Sequence, residues 1–340
     1  MGQAGQVARQ DCEGLWMLDL TDYRTFLARS HSLIALLGMV VAFSLLADGF
    51  LTLDNFWTIM RQISVNCCVS VGMTLVILTG GIDLSIGSIL ALSGAIMAGL
   101  LKRGTQIEAL NLYIGYGVPA AVAAGVFMGG LLGWFNGMMV TCFRVPPFIA
   151  TLAMLTIARG LTKLYTGGEA ITGLGPAFVN IGSGRLLGIP NQFWIAAVIV
   201  LVFAVLLRKT RFGRYVYAVG GNEEAAKLSG LNVARVKRLV YLLSGMLAAV
   251  GGLIVTSRLN SATPIAGEGL ELDSIAAVVI GGTSLAGGRG SVLGTVLGAL
   301  IIGVLNSGLV IMGVDPFWQQ VIKGFVILIA VMIDRLSYKE

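Results

Sequence analysis

Long apolar runs, separated by short polar or glycine-rich breaks, fill the chain from residue 32 almost to its end. They lie at 32–49, 62–79, 84–101, 113–141, 148–165, 192–208, 238–256, 273–283, 291–312 and 317–334. A hydrocarbon layer about 30 Å thick is crossed by a helix of about 20 residues, so most runs have the length of a transmembrane span. The fourth is too long for one upright crossing and has to tilt or break. The eighth is short and ends in glycine, so it does not cross as a full helix. The pattern predicts an all-α integral membrane protein of about ten transmembrane helices, some of them broken. Residues 1–31 read as a cytoplasmic tail with a short surface helix over 23–28, and 32–340 as the transmembrane domain.

Composition agrees with this picture. Of the 340 residues 56% are hydrophobic and only 12% charged, with a mean hydropathy of +0.88. A soluble domain carries about 25% charged residues, so a water-soluble fold of this length is excluded. The tail mixes acids and bases (Asp11, Glu13, Asp19, Asp22, Arg24, Arg29) with no apolar stretch after a basic start, and so does not read as a cleavable signal. Cys12, Cys67, Cys68 and Cys142 form no CxxC pair, and the one histidine is His31. That excludes a metal site of familiar spacing and leaves the cysteines as small packing residues. The net charge of +6 would raise nucleic acid as a partner for a soluble protein. Here the bases sit in loops, where they set orientation instead. Arg208, Lys209, Arg211, Arg214, Lys227, Arg235, Lys237 and Arg238 crowd one connection, which should be cytoplasmic. Six spans precede it and four follow, so both termini should be cytoplasmic, with Arg9, Arg24, Arg29, Arg335 and Lys339 in agreement. Loops 166–191 and 257–272 fall outside. Lys102 and Arg103 in loop 101–112 mildly dissent.

An internal repeat is visible. LLGWFNG at 131–137 and IIGVLNSG at 301–308 are each followed by a Pro-Phe pair, Pro147–Phe148 and Pro316–Phe317. In this topology the paired spans run in opposite directions, which predicts an inverted repeat of five helices plus five. Gly125, Gly129, Gly133 and Gly137 in the fourth span, and Gly290, Gly294 and Gly298 in the ninth, recur every fourth residue. Such stripes let helices approach closely. Close packing is the simpler reading, and a sliding face in an alternating-access machine the sharper one.

Polar residues within or at the ends of the apolar runs are the candidate translocation or gating groups: Asn66, Asp83, Ser85, Asn136, Thr151 and Asn306. Asp83, in GGIDLSIGS (80–88), has two readings. It either caps a helix at an interface or acts in a broken-helix turn. On the cytoplasmic side Asn222 is placed to cap a helix of about two turns, with Glu223 and Glu224 in its first turn, Ala225 and Ala226 as strong helix formers, and Gly230 to end it. This is either a solvated loop helix or a peg that docks on another protein. The segment GGTSLAGGRGS (281–291) lacks the Lys-Ser or Lys-Thr ending of a phosphate-binding loop and reads as a tight turn after a broken helix. No catalytic constellation is present, so an enzyme is not expected. The scarcity of charge within the spans favours a neutral, hydroxyl-rich solute over ion-coupled transport.

Four segments, GGIDLSIGSILALSG (80–94), NGMMVTCFRVPPFIATLAM (136–154), GRYVYAVGGNEEAAKLSGL (213–231) and AAVVIGGTSLAGGRGSVLGTVLGALIIGVLNSGL (276–309), resemble the permease family of ribose-type (monosaccharide) ABC importers. The resemblance covers nearly the whole chain apart from the tail. It implies a membrane-spanning permease subunit in a bacterial inner membrane, paired with a second permease chain. It also implies a separate ATP-binding cassette ATPase on the cytoplasmic side and a periplasmic sugar-binding protein outside. The family's coupling segment falls on Asn222, Glu223, Glu224, Ala225, Ala226 and Gly230, within a coupling loop over 209–238. ATP belongs to the partner subunit, so no cofactor is implied for this chain, and no nucleic acid. The alternatives are a secondary transporter working alone and an ABC permease for another small polar solute, such as an amino acid or nucleoside.

Overall fold

The computed structural model describes residues 32–107 and 112–337. The candidate surface helix at 23–28, Cys12, His31 and Lys339 lie outside them. Among the described residues the chain is helical apart from three two-stranded hairpin or loop pairings. The helices are α1 (Ser32–Leu46), α2 (Leu53–Leu78), α3 (Ile86–Arg103), α4 (Val118–Cys142), α5 (Pro147–Thr166), α6 (Pro176–Ser183), α7 (Asn191–Lys209), α8 (Arg211–Gly221), α9 (Glu223–Leu228), α10 (Val233–Leu259), α11 (Leu270–Ile280), α12 (Val292–Ile311) and α13 (Pro316–Ser337). Seven of them (α2, α3, α4, α5, α7, α10 and α12) are long and apolar enough to cross a membrane. Every predicted apolar run contains one helix.

The boundaries show which local signals win. α2 begins nine residues before its predicted span, because the Thr52 side chain accepts the Asn55 N–H and caps a helix whose first turns carry Asp54 and Arg61. The fourth run does not break. Its first residues pair as β2 (Leu112–Ile114) with β1 (Thr105–Ile107), and α4 then runs uninterrupted from Val118. The eighth run is short as expected: α11 has 11 residues, about 16 Å of rise.

α2, α3, α10 and α12 form the core, and α4, α5 and α7 lie outside them. α4 shows how the packing works. Its buried residues are Ala121, Gly125, Gly129, Gly130, Gly133, Asn136 and Gly137, while Phe127, Leu131, Trp134 and Phe135 are exposed. The small stripe lies on α10 and α3: Gly133 and Gly129 face Gly245, Gly137 faces Arg238, and Gly125 faces Ser93 and Met97. A methyl group on Gly133 would overlap the Tyr241 carbonyl oxygen. Between helices already in lipid, such close backbone contact replaces the hydrophobic drive as the source of affinity. The second stripe behaves likewise, with Gly294 and Gly298 set against Ala277 of α11 and Gly281 just past its end.

The helix contacts occur in matched sets. α10 packs on α4 and α3, as α2 packs on α12 and α11; α3 packs on α4 and α5, as α11 packs on α12 and α13. Between α2 and α3 lies a turn over 79–85. Between α10 and α11 lies a segment over 260–269 that pairs as β6 (Ser261–Ala262) with β3 (Ile171–Thr172) and then dips inward.

Candidate functional site: a buried turn beside a short exposed helix

The turn over 79–85 gathers four of the six candidate residues. Asp83 is fully buried, and its Oδ1 accepts the Ser85 N–H (3.0 Å) and the Ser85 hydroxyl (2.5 Å). Its Oδ2 accepts the hydroxyl of Ser244 on α10 at 3.0 Å. Asn136 of α4 donates its Nδ2 to the Ser85 Oγ at 2.9 Å, and Thr151 of α5 donates to the Ile82 carbonyl at 3.1 Å. One carboxylate therefore ties the start of α3 to α10 directly and to α4 through Ser85. All of these side chains are buried, so they hold helices together and do not line an open passage in this conformation. Asp83 bonds locally to Ser85 and makes no capping bond to the first turn of α3. Asn66 on α2 and Asn306 on α12 stand apart from this cluster, each with its Oδ1 unpartnered among the described residues.

The coupling candidates form as the local sequence dictates. The Asn222 Oδ1 accepts the Ala225 N–H at 2.9 Å and starts α9, a six-residue helix. Glu223 and Glu224 occupy its first turn, Ala226 is its buried anchor, and Gly230 leaves it at φ +80°, a conformation glycine adopts freely. Lys227 contacts Glu223 and Glu224 at 3.1 and 2.9 Å, and Lys237 of α10 reaches Glu223 at 2.6 Å. The Lys237 bond, with Lys227 beside it, holds the Glu223 carboxyl below its usual range. Leu228 at the tip is 89% exposed.

A glycine junction that sequence reading missed joins these two places. Gly220 of α8 lies so close to the end of α2 that a methyl group would overlap the Leu78 carbonyl oxygen. The same oxygen accepts the Gly288 N–H at 3.0 Å, Gly287 sits against Gly80 and Gly220, and the Tyr217 hydroxyl donates to the Gly290 carbonyl at 2.8 Å. The GGTSLAGGRGS segment is thus the predicted turn, wedged between α8 and the Asp83 turn. Its glycines in AVGG (218–221) and AGGRG (286–290) were the only available signal.

The scarcity of charge within the spans needs correction. Arg159 lies in the middle of α5, where its Nη1 donates to the Pro264 and Ala266 carbonyls at 2.7 and 2.8 Å, with Glu268 and Glu271 supplying nearby negative charge. Lys323 of α13 meets Asp273 of α11 at 3.3 Å. A cation well inside the run 148–165, a full turn before Lys163 near its end, was the legible signal; weighing acids alone passed over it.

Residues 55–331 match the family described as the branched-chain amino acid transport system permease component. The chain belongs to this permease family. It is 47% identical over 316 residues to the ribose import permease protein of Escherichia coli K12, covering 92% of this chain and 95% of that one. It is 49% identical over 299 residues to the Bacillus subtilis ribose import permease, covering 87% and 89%. It is 39% identical over 319 residues to the galactose/methyl galactoside import permease of Haemophilus influenzae, covering 91% and 93%. No solved structure matches the chain. The family's permeases are transport components, not enzymes, and the protein is a multi-pass membrane permease of the ribose-type sugar ABC group, a class that works with an ATPase and a substrate-binding protein.

Proposed function

We propose that this chain carries a monosaccharide, ribose before hexoses, across a bacterial inner membrane as one of two identical permease subunits. A cassette ATPase on the α8–α9 side drives it, and a periplasmic binding protein delivers the sugar to the opposite face. Ribose is preferred because the relatives named for ribose are 47–49% identical, against 38–40% for those named for galactose, fructose and allose.

Ten crossings are counted from the seven long helices together with α1, α13 and the half-length α11. The eight bases around α8 and α9 favour a cytoplasmic position for that end. Pairing of β3 with β6 favours this, because it draws 166–191 and 257–272 to one end, and the Arg103 contact to the Tyr165 carbonyl brings the end of α3 there too. Both termini then lie in the cytoplasm, 1–31 as a tail and 32–340 as the permease domain with its coupling loop at 209–238. The matched helix contacts support the five-plus-five inverted repeat.

One observation carries the reading: a continuous path runs from the exposed tip of α9 through Gly220 and Leu78 to the Asp83 turn. A docked ATPase that moves α9 moves the turn joining α3, α4, α5 and α10. Asp83, Ser85, Asn136 and Thr151 act in this reading as a latch on the gate. Co-purification with the ATPase tests it. A complex of two permease chains and two ATP sites is expected, weakened by Glu223→Ala with Glu224→Ala and by Leu228→Asp. A chain that never retains the ATPase contradicts the reading.

A further inference from the structure

The mid-membrane charges assign a wall of the solute path. Arg159 stands 12 residues from the start of α5 and seven from its end, about 18 and 10 Å of helix rise. The 263–269 segment reaches deeper still. Gly267 lies against Gly87, 16 residues, or about 24 Å, from the far end of α3 at Arg103. Two close-packed glycines allow that approach, since a methyl group on Gly87 would overlap the Gly267 carbonyl oxygen. The next residue, Glu268, is exposed, as are Gly269 and Leu272, and Arg159 is half-buried beside them. An exposed carboxylate at that depth facing hydrocarbon would cost several kcal/mol. The exposed face of α7 shows what a lipid-facing surface looks like here: Val198, Leu201, Val202 and Val205, with no charge among them.

We infer that the solute passes along the face formed by α5 and the 263–271 segment, with Arg159 and Glu268 as its polar lining. The inference rests on the sugar reading for the identity of the solute, but not for the existence of a wet face. Two carbonyls hold the Arg159 guanidinium in place while its other N–H groups remain to donate; Glu268 accepts, and Glu271 keeps a buried Oε2 unpartnered among the described residues. Fixed donors beside carboxylate acceptors match adjacent hydroxyls, each of which both donates and accepts. The six polar candidates read from the sequence are not on this face. It is supplied instead by a helix and a re-entrant segment, with Arg159 held by the backbone carbonyls of that segment.

The test uses the full chain assembled with its ATPase in vesicles, with all four cysteines replaced by alanine. Single cysteines are placed at Glu268 and, as a lipid-facing control, at Leu201, and a charged, membrane-impermeant thiosulfonate is applied. Glu268→Cys is expected to react at least about tenfold faster than Leu201→Cys, as a water-lined site should. Equal, slow labelling of both overturns the inference whatever solute is carried, and failure of the wild type to move any sugar overturns the sugar reading alone. In uptake, Arg159→Met is expected to raise KM or lower the maximal rate by about tenfold, with Arg159→Lys intermediate. Wild-type uptake by a membrane-inserted Arg159→Met chain overturns the role given to Arg159.

Discussion

Two connections between core helices, the turn from α2 to α3 and the segment from α10 to α11, differ in how they treat charge. The turn between α2 and α3 buries Asp83 completely and meets both its oxygens with hydroxyl or amide donors from 85 and 244. The segment between α10 and α11 leaves Glu268 exposed and engages Arg159 through backbone carbonyls. In the proposed reading, side chains give the first connection the task of a latch and the second that of a lining. A buried carboxylate held by neutral donors is costly to disturb, because removing it strands every donor at once. A charge that already faces water costs little to replace structurally, so its loss registers in transport.

The sharpest way to break this comparison is at Asp83. Asp83→Ala leaves the Ser85 and Ser244 hydroxyls without their acceptor, and a loss of about 2–4 kcal/mol is expected, read as a lower melting temperature of the purified chain in detergent. Asp83→Asn keeps an acceptor for Ser85 and should lose less than half as much. If both variants melt like wild type, the turn is no latch. Glu268→Gln should melt like wild type and lose uptake, the reverse pattern.

Gly220 and Gly221 sharpen the comparison at the junction. A methyl group on Gly220 meets the Leu78 carbonyl, whereas nothing lies within 4 Å of one on Gly221. Gly220→Ala is expected to cost about 1–3 kcal/mol and to abolish stimulation of the ATPase by loaded binding protein. Gly221→Ala should leave both unchanged. Equal behaviour of the pair removes the junction from the coupling path.

The smallest effect belongs to α9. The Glu223 carboxyl is lowered chiefly by its Lys237 bond. Its contribution is therefore present above the ordinary carboxylate range and is lost as pH falls through the lowered value. For a pair this open to water that contribution is about 0.5 kcal/mol. Lys237→Met should weaken ATPase retention slightly at neutral pH, and the difference from wild type should vanish at strongly acid pH.

The fold was largely legible because membrane spans are written in long apolar runs: all ten predicted runs hold a helix. Boundaries were less so. The start of α2 depended on a Thr52 cap ahead of Asp54 and Arg61, which depress a hydropathy signal without stopping a helix. α9 was readable nearly residue by residue, since capping is a local rule. Asp83, Ser85, Asn136 and Thr151 were singled out one by one for polarity, yet their convergence depends on helices brought together by tertiary packing. The re-entrant wall was hidden for the same reason: the partners of Arg159 are backbone atoms some hundred residues away, and no side-chain pattern encodes them.

The most direct measurement is uptake of labelled ribose into sealed vesicles holding this chain with its ATPase, supplied with ribose-loaded binding protein. Accumulation that requires ATP and the binding protein, and that is lost in the Gly220→Ala chain, is the predicted result. Ribose movement that continues without ATP, or no movement of any monosaccharide by a fully assembled complex, would contradict it.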